Sequence, residues 1–444
     1  MQLCSLPLLA FALGRLEVKQ LGAQARWALA IIAGLIVLPL LQLVPLPPTI
    51  WTSLPGRAPF AAAYEAAGMA VPWLPLSLDP EATWFSFLSL LPAVAVFLAL
   101  MALDLKLRRL IGFVILGFAF ASVLLGLAQL AGGMESPLRF YNPTSDTDSV
   151  GFFANRNHYT ALLTAAIPIA AGLSMGFAGE RTARRRPALL LLLIAYAVLL
   201  TGVGMAHSRA GLLLAFVAVI ASTGLVWAAR NNGEPLAGRF KFPLLFAAAN
   251  FCGLFLAFQF GFVGLANRLE KEGLVSDLRR PIAEVTLHAI EGNLPFGVGF
   301  GAFEPVYQIY EPVSLALPPF INHAHDDWLE LVLDGGLPVV ALLIGFLVWF
   351  AFAGVRAWRG LYPAGSPVDQ AVARAGPIIV GMLLLHSIVD YPLRTTSMMV
   401  VFAFAAALMV PARESRASGR GVRRSYRPEE RPLSPLAQRL RGAR

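Results

Sequence analysis

The chain has 444 residues, of which 57% are hydrophobic and only 14% are charged, and its mean hydropathy is +0.67. A water-soluble domain carries about 25% charged residues, so this composition excludes a soluble globular protein. The formal net charge of +9 does not indicate nucleic-acid binding. The basic residues lie in short loops between apolar runs, where they mark the cytoplasmic side of a membrane protein.

Apolar runs long enough to cross a bilayer recur along the chain. A bilayer core needs about 20 apolar residues per helix, and lipid offers no hydrogen bonds to an open backbone, so each run is predicted to be a helix. A short first run lacks a basic flank and a small-residue cleavage site, so we expect a helix there rather than a cleaved signal peptide. The predicted fold is an all-α polytopic membrane protein with about 11 transmembrane helices. The runs lie at about 3–14, 27–47, 84–103, 110–131, 158–178, 188–206, 210–229, 242–265, 331–355, 372–389 and 396–411.

The loops between these runs alternate in charge, which orients the predicted helices. Every second loop is rich in arginine or lysine, so these loops and the C-terminus are expected in the cytoplasm. The remaining loops are then extracytoplasmic, and the longest is expected to be partly helical; they lie at 48–83, 132–157, 266–330 and 390–395. We therefore expect a short hydrophobic segment with a basic loop at 1–26, a membrane domain at 27–411, and a basic, disordered tail at 412–444 that touches anionic lipid.

Two polar motifs stand at the outer ends of predicted spans. In "ANRNHY", the side chains of Asn155, Arg156 and Asn157 either cap the start of a helix or bind a ligand, and Arg156 could equally reach the membrane interface. In "HSRAG", Arg209 lies between two spans with almost no loop. An arginine at membrane depth is costly unless it is paired or lines a cavity, so we expect a functional role, with a phosphate as a suitable ligand.

The long loop 266–330 contains "LRRPIAEVTLHAIEGN", an amphipathic stretch headed by Arg279 and Arg280. A loop helix with a basic N-terminus can bind an anion. The glycine-rich turn Gly297–Gly301 follows it. No predicted strand precedes that turn and no βαβ unit surrounds it, which excludes a Rossmann nucleotide site.

The stretch "NHAHDDWLELVLDGG" holds His323, His325, Asp326 and Asp327 within five residues. It fits the first part of the His-x-His-x-Asp-His pattern of binuclear metallohydrolases, but Trp328 stands where the last histidine is needed. None of the other histidines is evidently placed to replace it, so we expect no metal. The alternative is the solvated start of a helix, where the helix dipole favours the two aspartates.

A last polar motif, "HSIVDYPLR", closes the second-last predicted span. His386, Asp390 and Arg394 would lie about one turn apart if the segment were helical. We interpret them as a local ion-pair network rather than as chemistry.

In this order the motifs resemble those of the bacterial O-antigen ligase and polymerase family of membrane glycosyltransferases. The resemblance implies a GT-C-like fold and a donor glycan carried on undecaprenyl diphosphate. It also implies transfer of that glycan to an acceptor hydroxyl at the periplasmic face of the inner membrane, with lipid A-core as the acceptor in the ligase branch. The segments that carry it span about 150–395 and are "FANRNHYTALL", "SRAG", "LRRPIAEVTLHAIEGNLPFGVGFGAF", "HAHDDWLELVLDGGLP" and "HSIVDYPLR".

The resemblance implies that His325 is the family's essential histidine. In the family this histidine is followed by a polar residue and, after nine more residues, by glycine. His325, Asp326 and Gly336 reproduce this spacing, whereas many members have Asn, Ser or Gln in place of Asp326.

The resemblance also implies that two arginines bind the donor. They correspond to Arg209 and to the arginine heading the loop helix, which is Arg279 when counted back from "TLHAI". The family's tryptophan four residues later is Ala283 here, so the adjacent Arg280 stays an alternative.

These roles predict an inverting transfer that requires no cofactor and no metal. An imidazole can take the acceptor's proton near neutral pH, and fixed guanidinium groups can neutralise the departing diphosphate. His325 is the expected base, oriented by Asp326 or Asp327. Asn155, Arg156 and Asn157 are expected to support the site.

Several functions remain open at this level. A polymerase of O-antigen or exopolysaccharide would use a growing polysaccharide as acceptor, and a protein O-oligosaccharyltransferase would use a protein. The stretches "LQLVPLPPTIWTSLPG" and "LPLSLDPEAT" resemble the outer loop of the family's polysaccharide-associated members, although we place ligase first. A transporter would carry its charges near the bilayer midplane, whereas these polar groups cluster on one side. The expected partners are the lipid-linked donor, the acceptor and membrane lipids, with no nucleic acid.

Overall fold

The computed structural model of the protein describes residues 2–141, 148–178, 185–231, 241–272, 278–315, 320–360 and 366–412. Apart from Ala412, the predicted tail lies outside these residues. Fifteen helices and two short strands occur within the described ranges. The helices are α1 Gln2–Arg15, α2 Ala23–Gln42, α3 Pro48–Trp51, α4 Ala58–Ala66, α5 Pro80–Ala102, α6 Leu105–Gly132, α7 Arg156–Ala178, α8 Arg185–Met205, α9 Arg209–Asn231, α10 Lys241–Glu272, α11 Arg279–Asn293, α12 Phe303–Tyr310, α13 Asp327–Trp358, α14 Pro367–His386 and α15 Thr396–Leu408.

The apolar runs predicted from the sequence are all helices. Among the described residues, nine helices are long and apolar enough to cross a membrane, namely α2, α5 to α10, α13 and α14. The shorter apolar helices α1 and α15 account for the other two runs. The prediction of an all-α polytopic membrane protein is thus confirmed.

Some helix ends differ from the prediction. Helix α13 begins at Asp327 rather than near 331, because the side chain of Asp326 caps its first turn. Helix α14 ends at His386 rather than near 389. The three residues after its C-cap, Ser387, form a turn in which the Asp390 amide donates to the His386 carbonyl at 3.0 Å.

The predicted outer loop 48–83 contains regular secondary structure. Strands β1 (Pro45–Leu46) and β2 (Leu74–Pro75) pair antiparallel at its base and enclose α3 and α4. The buried guanidinium of Arg57 donates to the Asn293 side chain at 3.1 Å and to the Gly297 carbonyl at 3.2 Å. Burial lowers the pKa of Arg57 to about 10. This arginine therefore fastens the loop to the glycine-rich turn after α11.

The glycine-rich turn packs against α13 where that helix breaks. The break lies at Gly336, whose φ of 60° and ψ of −149° are outside the helical region. Leu337 N therefore donates to the Pro295 carbonyl at 2.8 Å, and the Leu333 carbonyl accepts instead from Val298 N at 3.0 Å. A side chain at 336 would collide with the Pro295 carbonyl oxygen. The glycine thus lets the loop region dock on the helix that follows His325.

Candidate functional site

The motifs singled out in the sequence meet at the buried carboxylate of Asp390. Its Oδ1 lies 3.9 Å from Nδ1 of His325 and 3.9 Å from Nε2 of His158. Its Oδ2 accepts a hydrogen bond from the side-chain amide of Asn157 and lies 3.7 Å from Nη2 of Arg279. Three segments that are far apart in the chain therefore face one carboxylate that is 0% exposed.

His325 stands immediately before the capped start of α13. Its φ of 52° is left-handed, which is uncommon for a residue with a side chain and recurs at functional sites. The side chain is 31% exposed, while Nδ1 is buried on the side of Asp390. Burial lowers the pKa of His325 below its ordinary value; Asp390 raises it and Arg279 lowers it further. The imidazole is therefore neutral near pH 7 and able to accept a proton.

The start of α7 divides the roles of the three polar residues expected to support the site. The Asn155 side chain accepts from Asn157 N at 2.8 Å and so caps the helix. Arg156 forms an ion pair with the nearly buried Asp148. Of the three, Asn157 is the one whose side chain reaches the Asp390 carboxylate.

The α8–α9 turn places Arg209 beside this network. Ser208 Oγ donates to Asn157 Oδ1 at 2.7 Å and accepts from Gly211 N at 3.0 Å, which caps α9. His207 has a left-handed φ of 48°, and its Nδ1 lies 2.9 Å from Asp148 Oδ1. The half-buried Arg209 thus starts α9 one residue from a side chain bonded to Asn157.

The structure separates the two adjacent arginines of the loop helix. Arg279 is 39% exposed along its side chain and faces Asp390. Arg280 is 89% exposed and pairs with Glu284 one turn along α11, with Nε of Arg280 3.0 Å from Oε1 of Glu284. Only Arg279 of this pair points to the carboxylate.

The two aspartates after His325 hold the start of α13. Asp326 Oδ1 accepts from Trp328 N at 2.9 Å, and burial raises the pKa of Asp326. Asp327 Oδ2 accepts from Ser387 Oγ at 2.7 Å. The carboxylate that faces the His325 ring comes from a different segment of the chain.

Arg394 organises a second, separate cluster. Its Nη1 lies 2.8 Å from Oδ2 of Asp334 and 3.3 Å from Oε1 of Glu330, and its Nε lies 3.6 Å from Oδ1 of Asp327. Burial alone would lower the pKa of Arg394, but the three carboxylates raise it above its usual value. The local network expected for "HSIVDYPLR" is thus divided, because Arg394 pairs with α13 while Asp390 faces the histidines.

Glu330 links this second cluster to the loop that carries the histidines. Its Oε1 lies 2.9 Å from Nδ1 of His323, and its Oε2 accepts from Ala324 N at 2.9 Å. The sequence reasoning did not select Glu330, which is 1% exposed. A glutamate one turn into an apolar helix was the available signal.

Tyr391 is a further residue that the sequence reasoning missed. Its ring centroid lies 4.3 Å from that of His323 and 5.0 Å from those of His325 and His158. Burial raises the pKa of Tyr391. The ring therefore packs against the imidazoles of His158, His323 and His325 and restricts their orientation.

The central part of the chain also matches a known protein family. Residues 189–344 match a family model described as O-antigen ligase. This central segment of the chain is therefore similar to the O-antigen ligase family. A search of curated proteins found no match.

The matched segment contains only part of the site. It includes Arg209, Arg279 and His325, whereas Asn157 and Asp390 lie on either side of it. Within the described ranges, no group of three or more His, Cys, Asp or Glu side chains is arranged to hold a metal ion.

Proposed function

We propose that the protein transfers a glycan from an undecaprenyl diphosphate-linked donor to a hydroxyl of lipid A-core at the periplasmic face of the bacterial inner membrane. The transfer inverts the anomeric configuration and needs no metal. The observation that carries this proposal is the meeting of His325 and Arg279 at Asp390, which brings a neutral imidazole next to a fixed cation.

The guanidinium groups suit the donor. A diphosphate is already a good leaving group, so the protein must bind it and neutralise the charge that develops as the glycosidic bond breaks. Guanidinium stays charged at any relevant pH and bonds phosphate oxygens in pairs. Arg279 is partly exposed, so it can contact a phosphate while it remains near Asp390. Arg209 is the second candidate ligand, at the adjoining helix start.

His325 suits the acceptor. Because Nδ1 is buried toward Asp390, Nε2 is left to face the acceptor on the exposed side of the ring. The acceptor oxygen attacks the anomeric carbon, the bond to the diphosphate breaks, and the hydroxyl proton moves to Nε2. Asp390 stabilises the positive charge that His325 then carries. Attack from the face opposite the diphosphate gives inversion.

The ends of the membrane helices support a site on one side of the bilayer. The network joins the starts of α7, α9 and α13 with the segment after α14. The arginine-rich loops join the opposite ends of these helices, and such loops remain in the cytoplasm. The site then faces the periplasm. In the same orientation, the C-terminus that follows the short apolar helix α15 is proposed to lie in the cytoplasm.

A polymerase of the same family is the second candidate. The ordered outer loop 48–83 favours a polymerase. Arg57 fastens this loop to the glycine-rich turn that packs on α13. Its sequence resembles the outer loop of the family's polysaccharide-associated members. An acceptor longer than lipid A-core would use such an extended outer surface.

Deletion of the gene tests both functions. Lipopolysaccharide and secreted polysaccharide are compared by gel analysis, with complementation by the wild type, by His325→Ala, and by His288→Ala as a control at an exposed histidine of α11. A ligase gives lipopolysaccharide without its long-chain ladder, restored by the wild type and the control only. Loss of secreted polysaccharide alone would favour the polymerase. Unchanged lipopolysaccharide and polysaccharide would overturn the proposed function.

A further inference from the structure

Three imidazoles near Asp390 carry buried ring nitrogens with no hydrogen-bond partner among the described residues. These nitrogens are Nδ1 of His325, Nε2 of His158, and both nitrogens of His386. Unpaired buried polar atoms are costly and rare, and here they are concentrated at one place. We interpret these unpaired nitrogens as sites that exchange a proton rather than as members of fixed hydrogen bonds.

The two oxygens of Asp390 are used differently. Oδ2 is held by Asn157 and lies near Arg279. Oδ1 accepts from Tyr391 N at 2.8 Å and still faces both His325 and His158, each at 3.9 Å. That separation is longer than a hydrogen bond, but a modest rotation of either ring brings its nitrogen within range. Oδ1 is therefore placed to exchange a proton with either ring.

The two imidazoles differ in access. His325 is 31% exposed along its side chain, whereas His158 is 7% exposed and lies in the first turn of α7. An acceptor hydroxyl can reach His325 but not His158. His158 is thus a buried imidazole whose Nε2 faces the same Oδ1 of Asp390 as Nδ1 of His325.

We propose that His158, Asp390 and His325 form a proton-sharing triad, in which the proton taken by His325 is passed through Oδ1 of Asp390 to Nε2 of His158. His325 gains a proton at Nε2 and releases the one at Nδ1, so it returns to the neutral form. His158 becomes the imidazolium, and no electron is transferred. The role in glycan transfer rests on the proposed function, but the sharing is a property of the resting protein.

This passage moves positive charge away from the donor site. Arg279 lies beside Asp390 and is the proposed ligand of the donor diphosphate. An imidazolium kept on His325 would therefore face the guanidinium of Arg279. Moving the charge to His158 separates the two cations. Other titratable or charged groups that face the triad come from the loop before α13, from α13 itself and from the end of α14; they are His323, Glu330, His386 and Tyr391.

The test uses the full chain without donor or acceptor. Protein with ¹⁵N only in its histidines is placed in nanodiscs, and the six imidazoles are titrated by NMR over about pH 4 to 9. His158→Gln and His325→Gln assign the two resonances. Because coupled sites titrate with shared macroscopic steps, both resonances of the wild type should move through the same two steps.

The variants distinguish sharing from a structural role. In His158→Gln and in Asp390→Asn, His325 should titrate in a single step, and in Asp390→Asn at lower pH because the neighbouring negative charge is gone. His288→Gln, outside the triad, should leave both two-step curves unchanged. A single-step titration of His325 in the wild type, or a curve unaltered by His158→Gln, overturns the triad.

The wild-type titration alone shows whether His158 and His325 are coupled, even if a variant does not fold. Coupled titration together with no glycan transfer would overturn only the proposed function. Independent titration together with normal transfer would overturn only the triad.

Discussion

Nη2 of Arg279 lies 3.7 Å from Oδ2 of Asp390, whereas its neighbour Arg280 pairs with Glu284 on the exposed side of α11. This difference predicts that Arg279→Ala weakens binding of undecaprenyl diphosphate by about tenfold or more, since a charge-assisted bond is lost. Arg280→Ala is the matched control and should bind normally. Binding of radiolabelled undecaprenyl diphosphate to the purified protein measures both. Equal losses in the two variants would remove Arg279 from the donor site.

Arg209 should behave like Arg279 in the same assay. Arg209 is the first residue of α9 and follows Ser208, whose hydroxyl bonds to Asn157, so Arg209→Ala should lower donor retention without unfolding the turn. Unchanged affinity in Arg209→Ala would leave Arg279 as the single donor ligand of the two.

The pH dependence of transfer should report His325. A base must be neutral, so activity falls as the pH drops through its pKa, and burial places that pKa below about 6.5. Asp390 raises the pKa of His325, so Asp390→Asn should move the acid limb to lower pH; Arg279 lowers it, so Arg279→Gln should move the limb to higher pH. The profile of kcat/KM measures this. Shifts in the opposite directions would contradict the assignment of His325 as base.

Gly336→Ala should destabilise the protein by about 1–3 kcal/mol or more. The backbone conformation at 336 is close to glycine-only, and a Cβ would collide with the Pro295 carbonyl. Gly345, in the same helix, has open space around the position of a Cβ, so Gly345→Ala is a control that should be neutral or slightly stabilising. Thermal unfolding in detergent compares them. Similar melting temperatures would show that the break does not depend on glycine.

Arg394→Met should destabilise by about 3–5 kcal/mol, because it leaves buried carboxylates without their cation. Arg109, whose pair with Asp369 is partly exposed, is the control, and Arg109→Met should cost at most about 1 kcal/mol. Chemical unfolding in detergent measures both. A small loss for Arg394→Met would mean that the carboxylates of α13 are held by other groups.

Transfer should persist in EDTA, since guanidinium groups neutralise the diphosphate. Loss of activity on chelation, with recovery on adding zinc or manganese, would instead support a metal at His323, His325 and Asp326. Activity measured with and without the chelator decides between these two.

The helices could be predicted because lipid leaves an apolar run no alternative to a helix. Their ends could not, because they depend on individual side-chain bonds. Asp326 read as a solvated helix start, yet it extends α13 to Asp327 by capping. The order of loop 48–83 could not be predicted either, because it includes a contact of Arg57 with Asn293, 236 residues away.

Individual residues of the site could be predicted from the sequence, but the contacts between them could not. The resemblance to the O-antigen ligase family selected His325, Arg209 and Arg279, but nothing in a single sequence states which helix ends meet. Asn157 and Asp390 are 233 residues apart and still share a hydrogen bond. Tyr391 was missed for the same reason, since its role arises from three rings contributed by other segments.

The first part of α13, from its cap at Asp326 to its break at Gly336, sets a fixed distance between His325 and the docked turn. Ten residues from Asp327 to Gly336 correspond to about 15 Å of helix, with His325 at one end and the docked turn at the other. One added residue after Glu330 would rotate Asp334 by about 100° away from Arg394. The number of residues in this stretch is therefore as constrained as the carboxylates that pair with Arg394.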